Sequence, residues 1–147
     1  MSEIKKFFIY TCLVGALVWL SAPVKLAHAH LQTDPGETIA KVQRAISKGD
    51  AQAISRFTSS YTEVSILGAT TMYSRAQTAY ILKAFFRDHP PARFSFQHKL
   101  RVGSDWYIRG QYQNRGRESP YRMEMTMHWN GQQFEIKSIS IKALESR

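Results

Sequence analysis

The chain has 147 residues, 44% hydrophobic and 12% aromatic, which is enough material for one domain with a packed core. Its formal net charge of +9 favours acidic surfaces or anionic partners. The single cysteine, Cys12, lies in a segment that we expect to be removed. The remaining chain then has no thiol for a disulfide, a thiolate metal site or a cysteine nucleophile.

The N-terminal stretch has the order of a secretory signal peptide. A lysine pair at 5–6 precedes an apolar run at 7–20, and an Ala-His-Ala sequence ends at Ala29. The apolar run is shorter than the roughly 20 residues that a helix needs to cross a bilayer. We therefore predict a signal peptide at 1–29, cleaved before His30, and a periplasmic protein with no stable membrane span after cleavage. An uncleaved anchor is the alternative.

Two helix signals open the single domain that we expect at 30–147. Asp34 can cap a first helix, which ends at Gly49. Asp50 can cap a second, short helix at 51–57.

A third helix follows a short strand that we predict at 62–67. Ser74 and Gln77 have the spacing of a capping box. The two prolines of His89-Pro90-Pro91 stop the helix because neither can donate a backbone N–H. Apolar residues fall in one wide arc of this helix, so we expect it to be largely buried.

Four strands are predicted after the third helix. Phe94, Phe96, His98 and Leu100 alternate with polar residues, which predicts that these four side chains share the buried face. The inner-facing residues of the next two strands are Trp106, Ile108, Gly110, Tyr112, Tyr121, Met123, Met125, Met127 and Trp129.

Glycine-containing turns at 115–116 and 130–131 predict two tight hairpins with one consistent inner face. The apolar pairs that result are Ile108 with Met123 and Met127 with Phe134. In the last strand the apolar residues change parity, so we predict a β-bulge near Lys137-Ser138.

Several short motifs resemble those of one known family. They are Phe57-Thr58-Ser59-Ser60, Val64-Ser65-Ile66-Leu67-Gly68, Tyr73-Ser74-Arg75-Ala76-Gln77, Phe85-Phe86 with His89-Pro90-Pro91, Phe94-Ser95-Phe96-Gln97-His98 and Tyr107-Ile108-Arg109-Gly110. By these motifs the chain resembles domain-of-unknown-function family 4783, which consists of small exported bacterial proteins. The order of elements resembles the nuclear-transport-factor-2-like fold. The resemblance implies an α+β domain in which three N-terminal helices pack on a curved, mainly antiparallel sheet, and it implies no activity.

In such a fold we expect a concave apolar pocket between the helices and the sheet. Its predicted lining is Tyr80, Phe96, His98, Trp106, Tyr112 and Met125. The glutamates of the strands fall on the polar face, so the pocket has no evident acid–base pair. We therefore predict a non-catalytic domain, without a cofactor, that binds a small apolar ligand or a protein partner.

The alternative is a small enzyme of the isomerase, dehydratase or hydrolase type. In it a buried His98 would act as the base together with Tyr80 or Tyr112. A hydrogen-bonded core histidine is the other interpretation of His98. The histidines are widely separated in the sequence, so we predict no metal site.

The predicted register places Arg109 opposite Arg122 on the outer face. Like charges in this arrangement destabilise a sheet unless an anionic partner, or Glu124 on the diagonal, compensates them. Nucleic acid is a disfavoured partner because we expect the protein to be exported. A homodimer through the sheet face stays open as a further possibility.

Overall fold

The computed structural model describes residues 34–116 and 119–144. The predicted signal peptide at 1–29 and its cleavage between Ala29 and His30 fall outside these ranges. Within the described ranges, no helix is long and apolar enough to cross a membrane.

Three helices begin at the caps that the sequence predicts. They are α1 (Pro35–Lys48), α2 (Ala51–Ser55) and α3 (Arg75–Asp88). Asp34 caps α1, Asp50 caps α2, and Ser74 closes the predicted capping box of α3. The second helix ends at Ser55, earlier than predicted, and the carbonyl of Ser55 accepts a hydrogen bond from the Thr58 hydroxyl at 2.7 Å.

The strands form one curved sheet. They are β1 (Thr58–Ile66), β2 (Ala69–Ser74), β3 (Pro91–Val102), β4 (Asp105–Asn114), β5 (Tyr121–Trp129) and β6 (Phe134–Ala143). Their order across the six-stranded sheet is β2-β1-β6-β5-β4-β3, and only β1 and β6 run parallel. Strand β2 was not predicted from the sequence. It pairs with β1 across a turn in which Leu67 and Gly68 have positive φ angles of 53° and 99°.

The register of both predicted hairpins is wrong, although the inner face is right. The observed pairs are Ile108 with Met125 and Trp129 with Phe134. The connections are longer than the predicted tight turns, and one closes through a 3.1 Å hydrogen bond from Asn130 N to Gln133 O. Each shift is by an even number of residues, so every side chain keeps its face.

The predicted bulge in β6 is confirmed. Met127 pairs with Ile136 and Thr126 pairs with Ser138, which leaves Lys137 as the extra residue. The bulge returns the later isoleucines of β6 to the buried face.

Two further bulges, both in β3, were not predicted. One leaves Ala92 as an extra residue between Pro91 and Arg93, and the other changes the later part of the strand. The pairing with β4 shifts between Phe96 and His98, so that Gln97 is the extra residue. An extra residue reverses which side chains face the core. The prediction that His98 and Leu100 point inward is therefore wrong, and both are exposed.

The core lies between the helices and the inner face of β4, β5 and β6. It includes Ile39, Val42, Ile46, Leu82, Phe85, Phe86, Ile108, Tyr112, Met123, Met125, Met127, Ile136, Ile139 and Ile141. Burial of each such aliphatic side chain contributes about 1.5–3 kcal/mol before the entropic cost of ordering.

Tyr112 joins the end of α3 to the sheet. Its side chain is completely buried, and its hydroxyl donates a hydrogen bond to the carbonyl of His89, the C-cap of α3. The His89 ring stacks on Phe85 with centroids 4.7 Å apart. Burial raises the pKa of Tyr112, and the neighbouring Tyr121 hydroxyl adds to the rise.

Gly110 occupies a position on β4 where no side chain fits. A Cβ atom there would lie 2.7 Å from the carbonyl oxygen of Ser95 and 2.8 Å from the ring of Phe94. The glycine therefore leaves the space that the Phe94 ring occupies beside β4.

We expect Gly110→Ala to lower the free energy of unfolding by about 1–3 kcal/mol, because overpacking a close-packed site has costs of that size. Urea unfolding followed by circular dichroism measures the change. Gln111→Ala, at an exposed neighbouring position on β4, is the control and should shift stability by less than about 0.5 kcal/mol. Equal losses in the two variants would contradict the proposed clash.

The raised pKa of Tyr112 predicts a specific pH dependence. Its contribution to stability is fully present below the unfolded tyrosine pKa of about 10 and is lost as pH rises further. Tyr112→Phe should cost about 1 kcal/mol near neutral pH and should flatten the alkaline fall in stability. Urea unfolding between about pH 8 and about pH 11 tests this. Tyr80→Phe, on an exposed tyrosine, should follow the wild-type curve, and a Tyr112→Phe curve parallel to wild type would refute the assignment.

Candidate functional site

A depression of about 440 Å³ lies where the start of α1 meets the turn between β3 and β4 and the adjoining ends of β5 and β6. We call it the aromatic pocket, and its lining residues are Asp34, Pro35, Arg101, Ser104, Trp106, Trp129 and Phe134. Pockets for small ligands have volumes of about 300–1,000 Å³. The aromatic pocket is therefore large enough to hold a small molecule.

Three aromatic rings supply the apolar surface of this pocket. Trp129 and Phe134 are cross-strand neighbours on β5 and β6, with ring centroids 4.9 Å apart. Trp106 comes from β4, and a 3.2 Å hydrogen bond from Trp129 N to Ser104 O holds the start of β4 beside the end of β5. The indoles are half-buried and pack against the core, so they offer fixed faces for stacking.

One charge of each sign lies at the rim of the aromatic pocket. Arg101 is the cross-strand neighbour of Trp106, and its Nε donates to Gly103 O at 3.0 Å. No salt bridge among residues 34–116 and 119–144 includes Arg101. The Asp34 carboxylate already accepts a 3.0 Å hydrogen bond from Gly36 N as the α1 cap. Arg101 therefore has guanidinium donors available for an anionic group.

The opposite face of the sheet has a wider depression of about 790 Å³, which we call the outer-face groove. At its centre Arg109 Nε lies 2.8 Å from a Glu124 oxygen, and Lys142 Nζ lies 3.7 Å from the other. Leu100 and Tyr107 form an exposed cross-strand pair at one side, with 63% and 46% of their surface accessible. The groove thus combines internally paired charges with exposed apolar side chains.

The structure does not bring together the three residues of the predicted catalytic alternative. His98 is exposed and lines the outer-face groove, whereas Tyr112 is buried in the core. Tyr80 is 73% exposed on α3, because it lies two positions before the buried Leu82 and so points away from the sheet. The predicted placement of Tyr80 in the pocket is wrong.

Two of the other residues that were predicted to line the pocket belong to the core or pack against it. Met125 is only 3% exposed, and Phe96 packs half-buried against the core. Of the six residues predicted to line a pocket, Trp106 is the one that lines the aromatic pocket. The predicted pocket between α3 and the sheet is therefore filled by side chains at Met125 and Tyr112, and the aromatic pocket lies at the strand ends instead.

The predicted opposition of Arg109 and Arg122 is wrong. The true register places Arg109 opposite Glu124 and Arg122 opposite Gln111. Arg109 is consequently paired with a carboxylate, while Arg122 has Lys142 as its neighbour on β6. No two arginines are opposed in the described strands, but Arg122 and Lys142 are opposed like charges, and Lys142 Nζ lies 3.7 Å from a Glu124 oxygen.

A contact between Asp105 and His128 was not predicted from the sequence. They are cross-strand neighbours on β4 and β5, with His128 Nδ1 2.5 Å from Asp105 Oδ1. This contact with the carboxylate fixes the orientation of the imidazole. The predicted tight turn at 115–116 places these residues out of register, and only the longer connection reveals the pair.

Metal ligands do not cluster in the part of the chain that the structure describes. No group of three or more histidine, cysteine, aspartate or glutamate side chains there could hold a metal ion.

Solved structures that resemble this chain share its fold at low sequence identity. A DUF4783 family protein from Bacteroides ovatus has a TM-score of 0.68 and 17% identity, over 73% of this chain and 96% of that one. One from Bacteroides fragilis has a TM-score of 0.66 and 19% identity, over 71% and 96%. An NTF2-like protein of unknown function from Shewanella baltica has a TM-score of 0.59 and 13% identity, over 76% and 91%.

Family comparison agrees with the structural likeness. A search of curated proteins found no match. The sequence model of the domain of unknown function DUF4783 matches residues 39–142, well over half of the chain. The protein therefore belongs to the DUF4783 family and has the nuclear-transport-factor-2-like fold.

Proposed function

We propose that this protein is an exported, non-catalytic binding domain that holds a small, planar, mainly apolar molecule in the aromatic pocket. The observation that carries the proposal is the arrangement of Trp106, Trp129 and Phe134 around about 440 Å³ beside Arg101. Small-ligand sites are concave and mostly apolar, with a few polar groups that fix orientation. Export rests on the N-terminal sequence alone.

The distribution of acid–base groups supports binding rather than catalysis. General acid–base chemistry needs its groups within hydrogen-bond reach of one reacting molecule. His98 and Tyr112 lie on opposite faces of the sheet, and the Asp105–His128 pair lines neither the aromatic pocket nor the outer-face groove.

The aromatic pocket divides the recognition of a ligand between two kinds of contact. The indole faces of Trp106 and Trp129 bury the apolar body, at about 25 cal/mol for each Å² removed from water. Arg101 lies directly across from Trp106 and can bind an anionic substituent at the rim. The preferred ligand is therefore an aromatic or fused-ring molecule with one acidic group.

Tryptophan fluorescence can test this proposal directly. The chain has three tryptophans, and Trp19 lies in the predicted signal peptide, so Trp19→Phe leaves only the two indoles of the pocket. The probe is 1-anilinonaphthalene-8-sulfonate, which has a fused ring and a sulfonate. We expect saturable quenching of tryptophan emission, and we expect Arg101→Gln to lower the affinity for the probe about tenfold.

Lys99→Gln is the matched control, because Lys99 is an exposed cation two residues earlier on the same strand. It should leave the affinity unchanged. Trp106→Leu should abolish saturation while circular dichroism stays native. An equal effect of the Arg101 and Lys99 variants, or quenching without saturation, would contradict a specific pocket.

A second candidate function is self-association through the outer face of the sheet. Exposed apolar residues flank the polar floor of the outer-face groove on both sides. They are Leu100 and Tyr107 on one side and Tyr61 and Met72 on the other. A second copy would cover both flanks at once, as a stable interface of about 800 Å² per partner requires.

Sedimentation velocity tests the second candidate. We expect a wild-type dimer, and we expect Leu100→Lys with Tyr107→Lys to give a monomer, because two charges would be buried without partners. Tyr80→Lys, on the exposed side of α3, is the control and should remain dimeric. A wild-type monomer throughout the micromolar range would exclude this function.

A further inference from the structure

A small depression between α1 and α2 has a mostly cationic lining. Its volume is about 270 Å³. We call it the basic groove and define it by Lys41, Arg44, Lys48 and Arg56, which all line it and are all exposed. Its apolar floor includes the half-buried ring of Phe57. The basic groove shares no lining residue with the aromatic pocket.

Helical spacing and the turn after α1 bring these four cations together. Lys41, Arg44 and Lys48 lie three and four positions apart, so they form one row along α1. The buried residues of α1 lie on its other side. Gly49 then adopts a left-handed conformation, with φ of 67°, that turns the chain into α2 and brings Arg56 to the same depression.

Most of this charge has no partner in the described part of the chain. Lys41 Nζ lies 2.7 Å from the Glu37 carboxylate, but no salt bridge among residues 34–116 and 119–144 includes Arg44, Lys48 or Arg56. Asp50 also lines the groove, yet its carboxylate accepts the α2 capping hydrogen bond from Ala53 at 2.9 Å.

The cations are more numerous than helix stability requires. Lys48 and Arg56 lie at the C-terminal ends of α1 and α2, where the helix dipole favours positive charge. Arg44 lies in the middle of α1, where the dipole gives no such benefit, and it repels Lys48 at the i,i+4 spacing. A stabilising role in the helix therefore does not account for Arg44.

We propose that the basic groove binds a phosphate group. The planar guanidinium groups of Arg44 and Arg56 can donate paired hydrogen bonds to phosphate oxygens, and Lys48 adds a third cation. A volume of about 270 Å³ suits one compact headgroup. The ring of Phe57 supplies an apolar contact for the group that carries the phosphate.

The size of the groove argues against a polymer as the occupant. Single-stranded nucleic acid needs a long positive track with several exposed aromatic rings for stacking. The basic groove has one aromatic residue, which is half-buried, and a single depression. The phosphate can belong to a soluble compound or to the headgroup of an anionic lipid, and the experiment distinguishes these two sources.

The test compares two full-length triple variants of equal net charge. One is Arg44→Gln with Lys48→Gln and Arg56→Gln. The other is the control, Lys83→Gln with Arg93→Gln and Lys99→Gln, which removes three exposed cations elsewhere. One arm measures inorganic phosphate by isothermal titration calorimetry. The other measures co-sedimentation with phosphatidylcholine vesicles that do or do not contain phosphatidylglycerol. The apolar N-terminal segment is the same in every chain and cancels in the comparison.

We expect the groove variant to bind at least about tenfold more weakly than the control in one arm. Saturable binding of inorganic phosphate identifies a soluble phosphate source. Binding only to phosphatidylglycerol vesicles, with sensitivity to salt, identifies a lipid headgroup. Equal losses in the two triple variants would show attraction by net charge alone, and no wild-type binding in either arm would leave the groove without this ligand. Both of these results overturn the proposal.

Discussion

The end of α3 is the constraint on which the later strands depend. Helix C-termini leave carbonyl groups without partners, and a buried end must satisfy them. Here the Tyr112 hydroxyl donates to the His89 carbonyl, while His89 N donates to Phe85 O at 2.8 Å. Pro91 then begins β3 opposite Asn114 on β4. The residue that closes the helix therefore belongs to β4, so one contact fixes where β3 starts.

The bulge at Gln97 divides β3 into two parts with opposite alternation of inward and outward side chains. Before the bulge, β3 contributes Phe96 to the inner face, and after it the parity is reversed. His98 consequently lines the outer-face groove, and Arg101 lies opposite Trp106 at the aromatic pocket. A regular strand would exchange these positions, with the imidazole against the core and the guanidinium on the outer face. The composition of both candidate surfaces thus depends on the extra residue at Gln97.

Local signals in the sequence predict the elements better than the pairing between them. Helix caps and the bulge at Lys137 were predictable, because a cap is a local motif and β6 visibly changes its apolar parity. The bulge at Gln97 was not, since Phe96 and His98 continue the alternation without a break. Loop length was equally hidden: a glycine marks a turn but does not fix its size. The resulting register error separated Asp105 from His128, and it placed Glu124 diagonal to Arg109 rather than directly opposite it.

The positively charged surface that is available to an anion differs from the one that the sequence suggests. In the sheet, Glu124 pairs with Arg109, so this arginine is less available to an anionic partner. On the helices, Arg44 and Arg56 have no such carboxylate within the described residues. Salt screens exposed charges strongly and apolar burial hardly at all. The proposed phosphate binding at the basic groove should therefore weaken with ionic strength, while the proposed stacking on Trp106 in the aromatic pocket persists. A salt titration then distinguishes the two surfaces in one protein without any mutation.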